Sequence, residues 1–226
     1  MKIWLLPFFL GLIAIISGNL AFIISSNQDF IESCIPYISG CTSISASGRQ
    51  GLAFIIFKLT MLPVMTTLLI YWIISYQLLS RLTVLKHSKA LKIMLIAGAA
   101  GSLFGILYIA FLGSNSDLYQ LLRRFGIYFF FLGTFLAQIC ESIFIKNIVH
   151  SKITSCMGYV VLMIGLVILF STPFYGFIQE DDWLENVLEW NITFLIFLYF
   201  IISGLNWKKI QLRFSVEIPY LETGRP

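Results

Sequence analysis

Charge is scarce in this chain, and histidine scarcer still. Asp, Glu, Lys and Arg make up 12% of the 226 residues, where soluble domains carry about 25%. That shortage excludes an ordinary water-soluble domain. Two histidines, His87 and His150, stand beside four cysteines. Both histidines fall on the opposite side of the predicted topology from the loop cysteines, so no metal site is expected. The sequence contains no GxSxG, no Walker loop, no GxGxxG and no HExxH. The usual signatures of hydrolases, nucleotide enzymes and zinc proteases are therefore missing, and no cofactor is expected. The alternating ten-residue segments of a membrane β-barrel are missing too.

What is present is apolar length. Runs over Ile3–Ser25, Gly51–Leu79, Leu91–Gly113, Phe125–Lys146, Thr154–Pro173 and Leu188–Asn206 each reach the ~20 residues that cross a hydrocarbon core. Backbone groups in lipid must satisfy each other, so such runs must be helical. The expected fold is an all-α membrane protein, a six-transmembrane-helix bundle in one domain, with a short basic tail over 207–226. The first run follows Lys2 and is longer than a secretory core, with no clear cleavage site, so it reads as a retained helix.

The loops alternate in charge. Lys2, Arg81, Lys86, Lys89, Lys92, Lys146, Lys152, Lys208, Lys209, Arg213 and Arg225 fall on one side, eleven of the fifteen Lys and Arg residues. Cationic loops stay in the cytoplasm, which predicts cytoplasmic N- and C-termini. Arg49, Arg123, Arg124 and the acidic group Glu180, Asp181, Asp182 and Glu185 then face the outside or a lumen. A plasma (inner) membrane and an endomembrane fit equally. The net charge of +4 belongs to this asymmetry, and no nucleic-acid partner is expected.

Glycines seven apart share a helix face. The pairs Gly11 and Gly18, Gly126 and Gly133, and Gly158 and Gly165, with the patch Ala97 to Gly105, predict close helix packing. Pro63 predicts a kink in the second span.

Three segments are distinctive: Ile35-Pro36-Tyr37-Ile38-Ser39 in the first outer loop, Leu188-Glu189-Trp190-Asn191 opening the last span, and Trp207-Lys208-Lys209-Ile210-Gln211-Leu212-Arg213 after it. In this order they resemble the damage-regulated autophagy modulator (DRAM) family. Its relatives include fungal lipid-organisation proteins and membrane proteins that remodel the lipid of GPI anchors. The resemblance implies six helices, cytoplasmic ends and a lipid-associated role, with Pro36, Tyr37, Ser39 and Trp190 carrying the outer-loop motif. Where the family often continues with Asp-Thr-Gly, this chain has Gly40-Cys41-Thr42.

The residues themselves suggest one site. Ser43, Ser45, Ser47 and Arg49 precede the second span. Free N–H groups at a helix start attract anions, and arginine adds a bidentate contact to phosphate. A lipid phosphate is the natural anion at this depth, so the expected partners are membrane lipids, an anionic phospholipid among them. Against this stands a plain structural reading, with Ser47 as a cap and Arg49 as an interfacial anchor. Lys58, ~10 Å into the second span, is expected to snorkel outward or to reach Glu189, which would orient it. Glu141 enters from the opposite face, too far for a pair with Lys58, and is expected to snorkel or to be protonated. Cys34 and Cys41 either close a disulfide or stay as free thiols; their spacing permits both. The leading function is lipid binding that influences membrane lipid organisation or trafficking. A lipid-anchor remodelling enzyme, built on Glu189 beside a loop serine, and a small transporter are the alternatives.

Overall fold

The computed structural model describes residues 2–82, 89–114, 116–148, 150–171 and 182–209. Lys86, His87, Glu180, Asp181, Arg213, Arg225 and most of the basic tail lie outside these ranges. The described helices are α1 (Leu5–Asn27), α2 (Pro36–Ser39), α3 (Ile44–Ser47), α4 (Gly51–Leu82), α5 (Lys89–Ala110), α6 (Asp117–Ile148), α7 (Lys152–Ser171) and α8 (Trp183–Lys209). Six of them, all but α2 and α3, are long and apolar enough to cross a membrane. The chain is an all-helical, multi-pass membrane protein, and no strand occurs among the described residues.

The helix starts differ from those read from hydropathy. α6 begins at Asp117, eight residues before Phe125, and α8 begins at Trp183, five before Leu188. Hydropathy marks where lipid begins, whereas a helix continues through polar residues whose side chains find polar surroundings. Arg123 and Arg124 therefore stand on a helix wall, and Glu189 lies well inside α8 rather than at its first turn. The first-turn acid of α8 is Glu185.

Around the bundle α1 packs on α4, α4 on α5, α5 on α6, α6 on α7, α7 on α8, and α8 returns to α1. The α5–α6 seam is the closest, and glycine explains it. A Cβ on Gly133 would fall 2.6 Å from the Ala97 carbonyl oxygen, and one on Gly126 would fall 3.0 Å from the Phe104 carbonyl oxygen. Gly11 lies equally close to the α8 backbone, where its Cβ would strike the Phe197 carbonyl. The α7 pair departs from expectation. Gly158 has nothing within 4 Å, and Gly165 meets only the Phe135 ring at 3.6 Å, so that stripe is not a packing face. α4 runs through Pro63 as one helix.

Two charged residues within the spans take places that local sequence alone does not fix. Glu141 does not snorkel; it is fully buried. Its carboxylate accepts hydrogen bonds from Tyr71 (2.6 and 2.7 Å), Ser75 (2.5 Å) and Tyr199 (2.9 Å). These donors belong to α4 and α8, so one side chain of α6 ties three helices together. Of its two expected places Lys58 takes the snorkelled one, toward the end of α5, and does not approach Glu189. Its ammonium donates to the Ala110 carbonyl at 3.0 Å and lies 4.5 Å from the centre of the Phe54 ring. The last carbonyls of a helix lack intrahelical partners and carry partial negative charge, so the end of α5 attracts the ammonium.

Valine at Gly133 should push α5 and α6 apart. Overpacking of this kind costs about 1–3 kcal/mol. Thermal unfolding in detergent, followed by tryptophan fluorescence, should show a clear fall in Tm for Gly133→Val and almost none for Gly158→Val.

Candidate functional site

The first loop folds over one end of the bundle and is fastened there by side chains. Cys34 and Cys41 are joined in a disulfide, with Cα atoms 6.6 Å apart. Between them, α2 starts at Pro36 and ends at Gly40, whose φ of +55° suits glycine. A Cβ there would also strike the Trp183 carbonyl. This loop has no sheet partner, yet its buried backbone groups must be paired. α8 supplies the partners. Asn186 Nδ2 donates to the Gly40 carbonyl at 2.9 Å, Trp190 Nε1 to the Thr42 carbonyl at 2.9 Å, and Asn191 Nδ2 to the Tyr37 carbonyl at 2.9 Å. Ser45 N–H donates in the other direction, to Glu189 Oε1 at 3.3 Å.

Of the family-motif residues, Pro36 starts α2, Tyr37 and Trp190 close the clasp, and Ser39 stays outside it. The Tyr37 ring lies against Trp190, centroids 5.1 Å apart, and its hydroxyl accepts from Asn19 Nδ2 at 2.9 Å. Burial pushes the Tyr37 phenol above its ordinary value, against the opposing effect of the Asn19 hydrogen bond. It therefore stays neutral and holds α1 to the loop. Ser39 turns its hydroxyl back to the Ile35 carbonyl at 2.8 Å and does not reach the bundle.

Beneath the clasp is a cavity of about 730 Å³, within the ~300–1,000 Å³ range of small-molecule sites. Its walls change character with depth. The mouth carries Ser45, Arg49, Tyr108, Arg123, Arg124, Asp182, Glu185 and Glu189. Deeper, Phe131 and Phe135 of α6, Ile164 of α7, and Ile192 and Ile196 of α8 leave only apolar surface. From Arg124 to Phe135 along α6, and from Glu185 to Ile196 along α8, the helices descend ~16 Å at 1.5 Å per residue. Tyr128 and Leu132 line the flank and are 62% and 53% exposed. The cavity is thus open sideways, along the flank of α6 that carries these two side chains.

Ser45 anchors the mouth. Its hydroxyl lies 2.7 Å from the Tyr108 hydroxyl and 3.4 Å from Glu189 Oε1. Arg49 contributes a buried Nε with no hydrogen-bond partner. An orphaned guanidinium donor is costly, so it marks a place where an acceptor belongs.

Of the five residues expected to hold a headgroup, the structure gathers Ser45, Arg49 and Glu189 on this cavity and sets the other two apart. Lys58 is engaged at the end of α5. Ser47 is fully buried, its hydroxyl on the Ser43 carbonyl at 3.0 Å and its own carbonyl accepting from Ser25 at 2.7 Å. The helix cap in this region is Ser43, whose Oγ accepts from Ala46 N–H at the start of α3. The start of α4 does not face the cavity either; Gly51 lies against Gln28 and Phe30. Sequence reasoning missed Tyr108, Arg123 and Arg124 as site residues. The adjacent arginines were visible as outward charge, but nothing local showed that their helix starts before them. No group of three or more metal-ligating side chains occurs among the described residues. No protein-family model, no curated protein and no solved structure matches this chain.

Trp190→Phe keeps the ring and removes the donor to Thr42, leaving a buried carbonyl unpaired at about 1–3 kcal/mol. Hydrogen–deuterium exchange should speed up across residues 34–47 and stay unchanged at Glu141 and its neighbours. Alkylation of unfolded, unreduced protein should label Cys140 and Cys156 alone, and reductant should add two further labels.

Proposed function

We propose that this protein is a non-enzymatic, lipid-binding membrane protein that takes one phospholipid into the cleft between α6 and α8 and so influences membrane lipid organisation or trafficking. The observation that carries this reading is the pairing of an orphaned, buried Arg49 Nε with a wall that turns apolar below it. A phosphate would accept from Arg49 and Arg123, while an acyl chain would lie along Phe131, Phe135 and Ile192. The open flank admits the second chain to the surrounding bilayer. The same reading includes membership of the damage-regulated autophagy modulator family, and what supports it is the resemblance of the Pro36-Tyr37-Ile38-Ser39 and Glu189-Trp190 motifs.

The same reading keeps the predicted orientation, with both termini cytoplasmic and the clasp outside or in a lumen. A disulfide-bearing loop accords with an oxidising side. Lys208 and Lys209 end α8 at the other face of the bundle, where each basic residue attracts anionic lipid by about 1 kcal/mol.

One contact favours a second reading. Ser45 Oγ lies within reach of Glu189, which is the pair that a lipid-anchor remodelling enzyme would require. Ser45 would attack an ester carbonyl, its proton passing to Glu189 and then to the departing alcohol. Turnover of a fluorescent lipid ester by wild type, abolished in Ser45→Ala, would favour catalysis over binding.

Binding itself is tested by native mass spectrometry of gently purified protein. Loss of one charge-assisted hydrogen bond costs about 1.5–3 kcal/mol, roughly tenfold to a hundredfold in affinity. Arg49→Ala and Ile196→Trp should each lose most of the bound phospholipid, one at the headgroup and the other at the chain. Unchanged lipid in both variants would remove the proposed site.

A further inference from the structure

The cavity mouth carries both signs of charge, and they are sorted by wall. Arg123 and Arg124 project from α6, with Arg49 at the joint between α3 and α4; Asp182, Glu185 and Glu189 line the α8 side. The three acids are spaced by three and four residues, so they form one stripe down a single helix face. Among the described residues, no carboxylate oxygen comes within 4.0 Å of a nitrogen of Arg49, Arg123 or Arg124. The two sets therefore line one cavity without closing a direct ion pair. Glu189 is the deepest acid. Its Oε1 accepts from Ser45 at 3.3 and 3.4 Å, while its Oε2 accepts from no protein group among the described residues and is not a buried, unsatisfied atom.

Taking the cleft as a phospholipid site, which is the reading above, we infer that its ligand is a zwitterionic headgroup with a primary amine, of the ethanolamine phosphate type. The phosphate would meet the arginine wall and the ammonium the α8 stripe. A headgroup with phosphate alone would satisfy the guanidinium groups and leave three carboxylates crowded against an anion, which like-charge repulsion opposes. A quaternary ammonium has no N–H to donate, and its usual partner is a cage of aromatic faces. Here the hydroxyl of the buried Tyr108 is held by Ser45, and the α8 side of the mouth presents carboxylates. Hydrogen-bond donors on the ammonium are what that wall can use. The site would therefore select net neutrality and N–H donors together.

The test uses the full-length protein in nanodiscs, stripped of bound lipid and titrated under native mass spectrometry. The probes are phosphatidylethanolamine, phosphatidylcholine and phosphatidylglycerol with identical acyl chains, and soluble phosphoethanolamine. Phosphatidylethanolamine should bind about tenfold tighter than either other lipid, a difference typical of one charge-assisted contact. Glu189→Gln should erase that preference while phosphatidylcholine binding persists. Because Glu189 also holds Ser45, the exposed Glu185→Gln serves as a second variant free of any role in the clasp, and it should reduce the preference in the same direction. Equal or tighter binding of phosphatidylglycerol, or a preference untouched in both variants, overturns the headgroup assignment and leaves lipid binding standing. Absence of any phospholipid binding that depends on Arg49 overturns both. Displacement of lipid by low concentrations of soluble phosphoethanolamine would assign the site to a water-borne ligand and overturn the lipid source.

Discussion

The arrangement at one end of this bundle depends on side chains of α8 pairing with loop backbone. A loop laid over the end of a membrane bundle brings peptide groups into a setting with little water, and a short loop has no ladder of its own to satisfy them. Asn186, Trp190 and Asn191 each donate to a loop carbonyl, and Glu189 receives a loop N–H. Those four contacts fix the path from Tyr37 to Ser45. They also fix where Ser45 and Arg49 stand relative to α6. Without them the mouth of the cavity would have no roof.

A second polar device operates deeper. Glu141 gathers hydroxyls from α4 and α8 at a depth where an unpartnered carboxylate is expensive. Three donors converge on it, and the stacked Tyr71 and Trp207 rings, 5.2 Å apart, seal that side. The other half of α6, toward the clasp, carries Phe131 and Phe135 on the apolar wall of the cleft. Tight packing of α5 on α6 and a gap on the far side of α6 are two parts of one geometry.

The long helices were legible because hydrocarbon leaves the backbone no alternative. Their ends were not, and the reason is physical. Hydropathy reports the boundary of lipid, so the polar first turns of α6 and α8 read as loop, and Arg123 and Arg124 read as loose charge. Within the site, Ser45 and Arg49 were legible from local chemistry, and Glu189 from its charge at the membrane edge together with the family-like motif around it. Between the two places expected for Lys58, local sequence could not choose, because the acceptor that decides it, the Ala110 carbonyl, belongs to a helix end fifty-two residues away. Glu141 could be marked as unusual from its position, but its hydroxyl partners lie on other helices and no spacing rule connects them. The Cys34 and Cys41 spacing allowed a bond without requiring one, because Cα distance is a property of the folded loop.

The sideways opening beside Tyr128 and Leu132 has a consequence for how this cleft would be filled. A molecule entering there arrives by two-dimensional diffusion and never has to leave the leaflet. Its occupancy is then governed by mole fraction in that leaflet, not by molarity in water. The protein would report on membrane composition even for species with negligible aqueous solubility.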